Sequence, residues 1–140
     1  MIASANSNNG DVARSSNRAV RVLVADDDPD ILELVCLRVR QAGYEVIEAC
    51  DGAEAYAGAI ELLPDLCILD VRMPRMDGYE VVRALRAHPG TASMPLMLLT
   101  AHASETDRTT GLESGADAFM RKPFSADELK SRVAELLGGR

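Results

Sequence analysis

Short apolar runs alternate five times with longer segments of mixed polarity from Val20 onward. The strand-like runs are Val20–Ala25, Glu45–Ala49, Leu66–Asp70, Leu96–Thr100 and Ala118–Arg121. Three of them are nearly unbroken in apolar residues, as parallel strands covered on both faces require. Helical segments fall between them. Asp28-Pro29 combines a cap with proline at the first helical position and opens a helix ending near Ala42-Gly43. Asp51-Gly52 leads into a helix reaching Leu63, halted by Pro64. Asp77-Gly78 starts a third, to about Ala87, and Ser104 a fourth that ends near Gly115. Ser125 and Glu128 form a capping box for the last, which reaches Leu137. The predicted class is α/β, a (βα)5 doubly wound parallel sheet, because right-handed crossovers leave few other topologies.

The segment Met1–Arg18 is rich in Ser and Asn without periodicity, so residues 1–19 are expected to form a disordered tail and residues 20–138 the domain. The fourth helix offers Leu112 as its only large apolar residue and carries two adjacent threonines and a glycine. Low local stability and an easily shifted position are expected of it.

A chain of 140 residues, 47% hydrophobic, is long enough for one domain with a substantial core. No run approaches a membrane span and the N-terminus lacks a signal-peptide layout, so a cytoplasmic protein without membrane contact is expected. Cys36, Cys50 and Cys67 show no ligand spacing and read as reduced and buried. A net charge of −7 and the absence of Trp argue against direct nucleic-acid binding by this domain.

The acids divide by what can explain them. Asp28, Asp51 and Asp77 sit at caps or turns, and Asp30 and Asp127 in first helical turns. Asp26, Asp27 and Asp70 remain, each at the end of an apolar strand, where ligands bind in α/β folds. Thr100 and Lys122 end the fourth and fifth strands, and Lys122 stands out in a chain with thirteen arginines and two lysines. An acid pair, an acid, a hydroxyl and an ammonium at one rim fit phosphoryl transfer to a carboxylate. Crowded carboxylates call for a cation such as Mg²⁺, and an ionised Asp needs no general base to act as nucleophile. His88 and His102 fall in predicted loops without a matching nucleophile.

Four segments carry a resemblance: Val22-Leu-Val-Ala-Asp26-Asp27-Asp28-Pro29, Ile68-Leu-Asp70-Val-Arg-Met-Pro74-Arg-Met-Asp77-Gly78, Leu98-Leu-Thr100-Ala101 and Phe119-Met-Arg-Lys122-Pro123-Phe124. Over Arg21 to Leu137 the chain resembles the receiver domains of bacterial two-component response regulators, including single-domain chemotaxis regulators. The resemblance implies a flavodoxin-like sheet of strand order 2-1-3-4-5. Asp70 would be the phosphoacceptor. Asp26, Asp27, Asp70 and the main-chain carbonyl of Arg72 would hold Mg²⁺ or Mn²⁺. Thr100 would be the switch hydroxyl, Phe119 the rotating aromatic, and Lys122 the phosphate ligand, with a cis bond before Pro123. Ala101 supplies a small residue beside the phosphate, and Arg72 and His102 occupy positions that influence how long it survives.

The implied donor is a sensor histidine kinase or a histidine phosphotransfer protein. The implied output is a protein effector contacting the face built from helix four, strand five and helix five, with a phosphorylation-linked dimer left open. Such a domain catalyses its own phosphorylation and dephosphorylation rather than turning over an external substrate. The competing readings are a receiver belonging to a longer regulator or hybrid kinase, an aspartate-nucleophile phosphatase, a nucleotide-binding module and a phosphorylation-independent interaction domain. The phosphatase would want an acid where Arg72 stands. The nucleotide module would want a phosphate-cradling loop where Asp26-Asp27-Asp28 stands.

Overall fold

The computed structural model describes residues 19–101 and 105–138. Five strands, β1 (Arg21–Ala25), β2 (Glu45–Ala49), β3 (Leu66–Asp70), β4 (Leu96–Thr100) and β5 (Ala118–Arg121), form one sheet in the order β2-β1-β3-β4-β5. All four pairings are parallel. The helices are α1 (Pro29–Gln41), α2 (Gly52–Leu62), α3 (Gly78–Ala87), α4 (Glu105–Glu113) and α5 (Ala126–Gly138). The architecture is the flavodoxin-like doubly wound sheet the sequence predicts.

Alternation along the strands builds two cores. Leu23, Leu69, Leu98 and Phe119 pack on one face with Val81, Val82 and Leu85 of α3. Val22, Val24, Ile68 and Leu99 pack on the other with Val35 and Cys36 of α1 and Leu129 and Val133 of α5. β3 and β4 are buried at all five positions, which explains their unbroken apolar sequence. Each such side chain contributes roughly 1.5–3 kcal/mol of burial.

The caps hold the helices where the polarity pattern places them. Asp28 accepts the N–H groups of Asp30 and Ile31 at the start of α1. Asp77 and Glu80 form a reciprocal capping box on α3, and Ser125 and Glu128 another on α5. At the far end of α2 the boundary differs by one residue from expectation. Leu63 is not helical but left-handed (φ 48°, ψ 62°), because Pro64 disfavours the right-handed helical region for the residue before it. A leucine pays a steric penalty there that glycine does not. Leu63→Gly is therefore expected to raise unfolding free energy by roughly 0.5–1 kcal/mol in a urea titration, although it removes a large, half-exposed side chain.

Leu112 is exposed, and within residues 109–114 the buried positions are Gly111 and Ser114. One expectation is corrected. Cys50 is exposed at the end of β2, whereas Cys36 and Cys67 are buried. Burial, reinforced by Glu48, pushes the Cys36 thiol up to about 11, and burial pushes Cys67 up to about 12. The native protein should consume one equivalent of a thiol reagent at neutral pH, at Cys50, and three once unfolded. Both buried thiols ionise first in the unfolded chain, so they withdraw stability as pH climbs above 9.0. Among the described residues no helix is long and apolar enough to cross a membrane.

Candidate functional site

The site begins with strand register. β1 and β3 are neighbours, with Ala25 opposite Leu69, so Asp26 and Asp70 emerge side by side at the C-terminal edge of the sheet. Asp27 completes a triad in which one carboxylate oxygen from each residue lies within 4.8 Å of the others. Asp26 and Asp70 are buried and Asp27 is exposed.

Lys122 reaches this cluster from beyond β5. Its N–H donates to the Thr100 carbonyl (2.8 Å), continuing the ladder past the last strand residue. Its Nζ lies 2.9 Å from Asp26 Oδ2 and 2.9 Å from Asp70 Oδ1. The Lys122–Pro123 peptide is cis, as the resemblance implies.

One ammonium faces three carboxylates, and the titration balance reflects it. Burial raises the pKa of Asp70; the Lys122 hydrogen bond opposes this, and the Asp26 and Asp27 charges add to it. For Lys122, burial alone would lower the value, but the bonds to Asp26 and Asp70 outweigh it and the net shift is upward. The cluster is thus short of positive charge, and its ligands are all oxygen. That donor set suits a hard divalent cation such as Mg²⁺ or Mn²⁺.

Asp26 has a second duty. Its Oδ1 accepts the N–H of Asp28 at 3.0 Å, tying the acid site to the cap of α1. The loop after Asp70 is held as firmly. Val71 N–H donates to Leu99 O (3.0 Å), and Gly78 N–H closes the loop onto Val71 O (2.8 Å). Within it Arg75 adopts a left-handed conformation (φ 73°), and its Nε pairs with Asp51 at the start of α2 (3.1 Å). Gly52 lies flush against this loop: a Cβ there would stand 1.8 Å from the Met76 carbonyl oxygen.

Together these elements enclose an open cleft of about 660 Å³. Asp26, Asp27, Asp70, Arg72, Thr100, Ala101 and Lys122 all line it. Thr100 is buried, Ala101 exposed, and Arg72 exposed at the mouth. Phe119 is not in the cleft; it is buried in the core on the α3 side of the sheet. His102 lies outside the described residues. Sequence reasoning missed an apolar lip of Ile31, Leu34 and Phe124 beside the acids. The spacing of Ile31 and Leu34 three apart on α1 was the available signal.

The response regulator receiver domain family matches residues 22–134. The chain belongs to that family. Among curated relatives, this receiver is 48% identical over 117 residues to the transcriptional regulatory protein PrrA of Mycobacterium tuberculosis, covering 84% of the chain and 49% of PrrA. It is 43% identical over 117 residues to the DNA-binding dual master transcriptional regulator RpaA of Synechocystis, covering 84% and 48%. The receiver thus spans about half the length of the curated relatives it matches. Among solved structures, the chemotaxis protein CheY4 of Vibrio cholerae superimposes with a TM-score of 0.81 at 35% identity, covering 86% of this receiver and all of that chain (100%). The receiver domain of a sensor histidine kinase from Pseudomonas aeruginosa, with a magnesium ion in its active-site cleft, gives 0.81 at 30% identity, covering 86% and 99%. Receivers of this family accept phosphoryl groups in two-component signalling.

Proposed function

We propose that this receiver takes a phosphoryl group onto Asp70 from a sensor histidine kinase or a histidine phosphotransfer protein and passes the signal on by changing shape. The observation that carries the reading is the Lys122 ammonium bonded to both Asp26 and Asp70, beside Asp27, in an open cleft. An Asp70 carboxylate oxygen attacks phosphorus in line with the leaving group. The P–N bond to the donor imidazole breaks, its electron pair stays on nitrogen, and an acyl phosphate remains on Asp70. Lys122 exchanges a carboxylate contact for a phosphoryl oxygen, and Thr100 offers its hydroxyl to another. Ala101 leaves room for the group. Hydrolysis reverses the gain: water attacks phosphorus, the P–O bond to Asp70 breaks, and inorganic phosphate leaves. Arg72, which lines the cleft, can govern that water's approach, and the resemblance implies the same influence for His102.

Asp26, Asp27, Asp70 and the main-chain carbonyl of Arg72 are the ligands that would hold Mg²⁺ or Mn²⁺. Such a cation, when bound, neutralises charge on the transferring oxygens and screens Asp70 from the anionic donor. The magnesium in the Pseudomonas aeruginosa relative supports this assignment. Phosphorylation draws Thr100 inward, Phe119 follows, and the face of α4, β5 and α5 changes for a protein partner in the cytoplasm. The length comparison favours a second form of the same reading, in which the receiver regulates a DNA-binding half of a longer chain. The receiver itself, at −7, makes no nucleic-acid contact in either form.

Intact mass after incubation with acetyl phosphate and Mg²⁺ tests the proposal. Wild type should gain one phosphoryl group, while Asp70→Asn, or wild type in EDTA, should gain none. Incorporation into Asp70→Asn at the wild-type level would move the acceptor elsewhere.

A further inference from the structure

α4 rests on β5, and among its described side chains the large apolar one, Leu112, is exposed. What touches β5 is the helix backbone at Gly111. A Cβ at that position would lie 2.8 Å from Phe119 Cδ2, closer than such contacts allow, and 3.1 Å from both Phe119 Cε2 and Leu98 Cδ1, so the ring would have to give way. Glycine at this position lets the helix backbone approach the aromatic ring. Phe119 sits opposite Leu98 in the β4–β5 register, two residues before Thr100 is matched by Arg121 and three before Lys122.

The C-terminal end of the helix is fastened. Ser114 Oγ donates to Gly111 O (2.6 Å), and Arg86 of α3 donates from Nε to Gly115 O (2.9 Å). The same guanidinium reaches Ala92 O, Met94 O and Asp117 Oδ2, so it is rigidly placed. Gly115 (φ 112°) lets the chain turn over the Arg86 stem. The helix is therefore pinned at one end and seated on a ring in its last two turns.

We propose that Gly111 is the coupling residue of the switch: α4 rides on the Phe119 ring through a glycine seat and pivots about its Arg86-held C-terminus when the ring moves. This rests on the reading that Phe119 moves toward Thr100 when the acid site carries a phosphoryl group. The seat belongs to the unphosphorylated arrangement. A Cβ there disfavours that arrangement and shifts the population toward the activated one.

Beryllofluoride with Mg²⁺, a phosphoryl mimic, provides the readout by titration. Gly111→Ala should bind it about fivefold more tightly than wild type or better. Thr109→Ala, on the exposed side of the same helix, brings a comparable gain in helix propensity and should leave affinity unchanged. In a Phe119→Leu background the effect of Gly111→Ala should vanish. Wild-type affinity in Gly111→Ala, an equal gain in Thr109→Ala, or a gain that survives Phe119→Leu would each overturn the coupling. Failure of wild type to bind beryllofluoride would instead overturn the phosphoacceptor reading. The seat is then tested by urea unfolding of the same double-mutant cycle, where non-additive effects support the contact and additive ones refute it.

Discussion

Lys122→Met should destabilise the metal-free protein by roughly 2–4 kcal/mol and make its stability depend more strongly on Mg²⁺. The ammonium is the cation bonded to two buried carboxylates, Asp26 and Asp70, and methionine leaves both without it. Repulsion among Asp26, Asp27 and Asp70 then acts unopposed, and the Asp70 pKa, already raised by burial, moves further up. A divalent cation entering the variant relieves that repulsion without competing against an internal ammonium. The gap between melting temperatures with and without Mg²⁺ should therefore widen relative to wild type. Phosphoryl uptake should move the other way and slow by about 100-fold or more, since a donor aimed at the transferring oxygens is gone. Melting curves in EDTA and in Mg²⁺, together with the rate of mass gain from acetyl phosphate, separate the two roles. An unchanged melting temperature in EDTA would show that Lys122 does not balance the acid pair.

Gly52→Ala should cost more than about 3 kcal/mol of stability and carry phosphoryl uptake down with it. The glycine is not there for a positive φ; it is there because the Met76 carbonyl occupies the space of a side chain, at 1.8 Å from a hypothetical Cβ, with the Met76 Cβ at 2.7 Å. Backbone meets backbone, so no rotamer change can relieve the clash. Either the start of α2 lifts, or the loop that carries Arg72, Arg75 and the Asp77 cap shifts. Gly58→Ala in the same helix is the matched control. Its Cβ would meet Leu23 Cδ1 alone, at 3.2 Å, and that flexible tip can yield. It should stay within about 1 kcal/mol of wild type. Urea unfolding and intact mass on the two variants check the contrast. Asp70→Asn offers the opposite pattern, with uptake lost and the fold kept.

These contrasts show what a linear reading of the chain could reach. Asp26, Asp27, Asp70, Thr100 and Lys122 were legible because each ends an apolar run, and strand ends in a parallel sheet share one edge. Asp28 and Ser125 were legible because caps act over three or four residues. Gly52 was read as part of a turn, and nothing local reveals that Met76, 24 positions on, would lie against it. Leu112 was read as the only large apolar residue of a weakly held α4, and it is exposed; nothing local reveals that Gly111 beside it would approach Phe119. Arg86 resembled any other helix-surface cation, although it gathers oxygens from Ala92, Met94, Gly115 and Asp117. Periodicity reports which face is buried. It does not report which backbone lies beyond that face.

The strands that deliver Asp70 and Thr100 are buried along their whole length, so the side chains that set the acid geometry are sealed from the exterior. Among the described residues, the outward faces of α1 and α5 bear none of that positioning. Substitutions there can accumulate at little cost to the chemistry, and a duplicated gene could acquire a new donor or a new listener while inheriting the reaction intact.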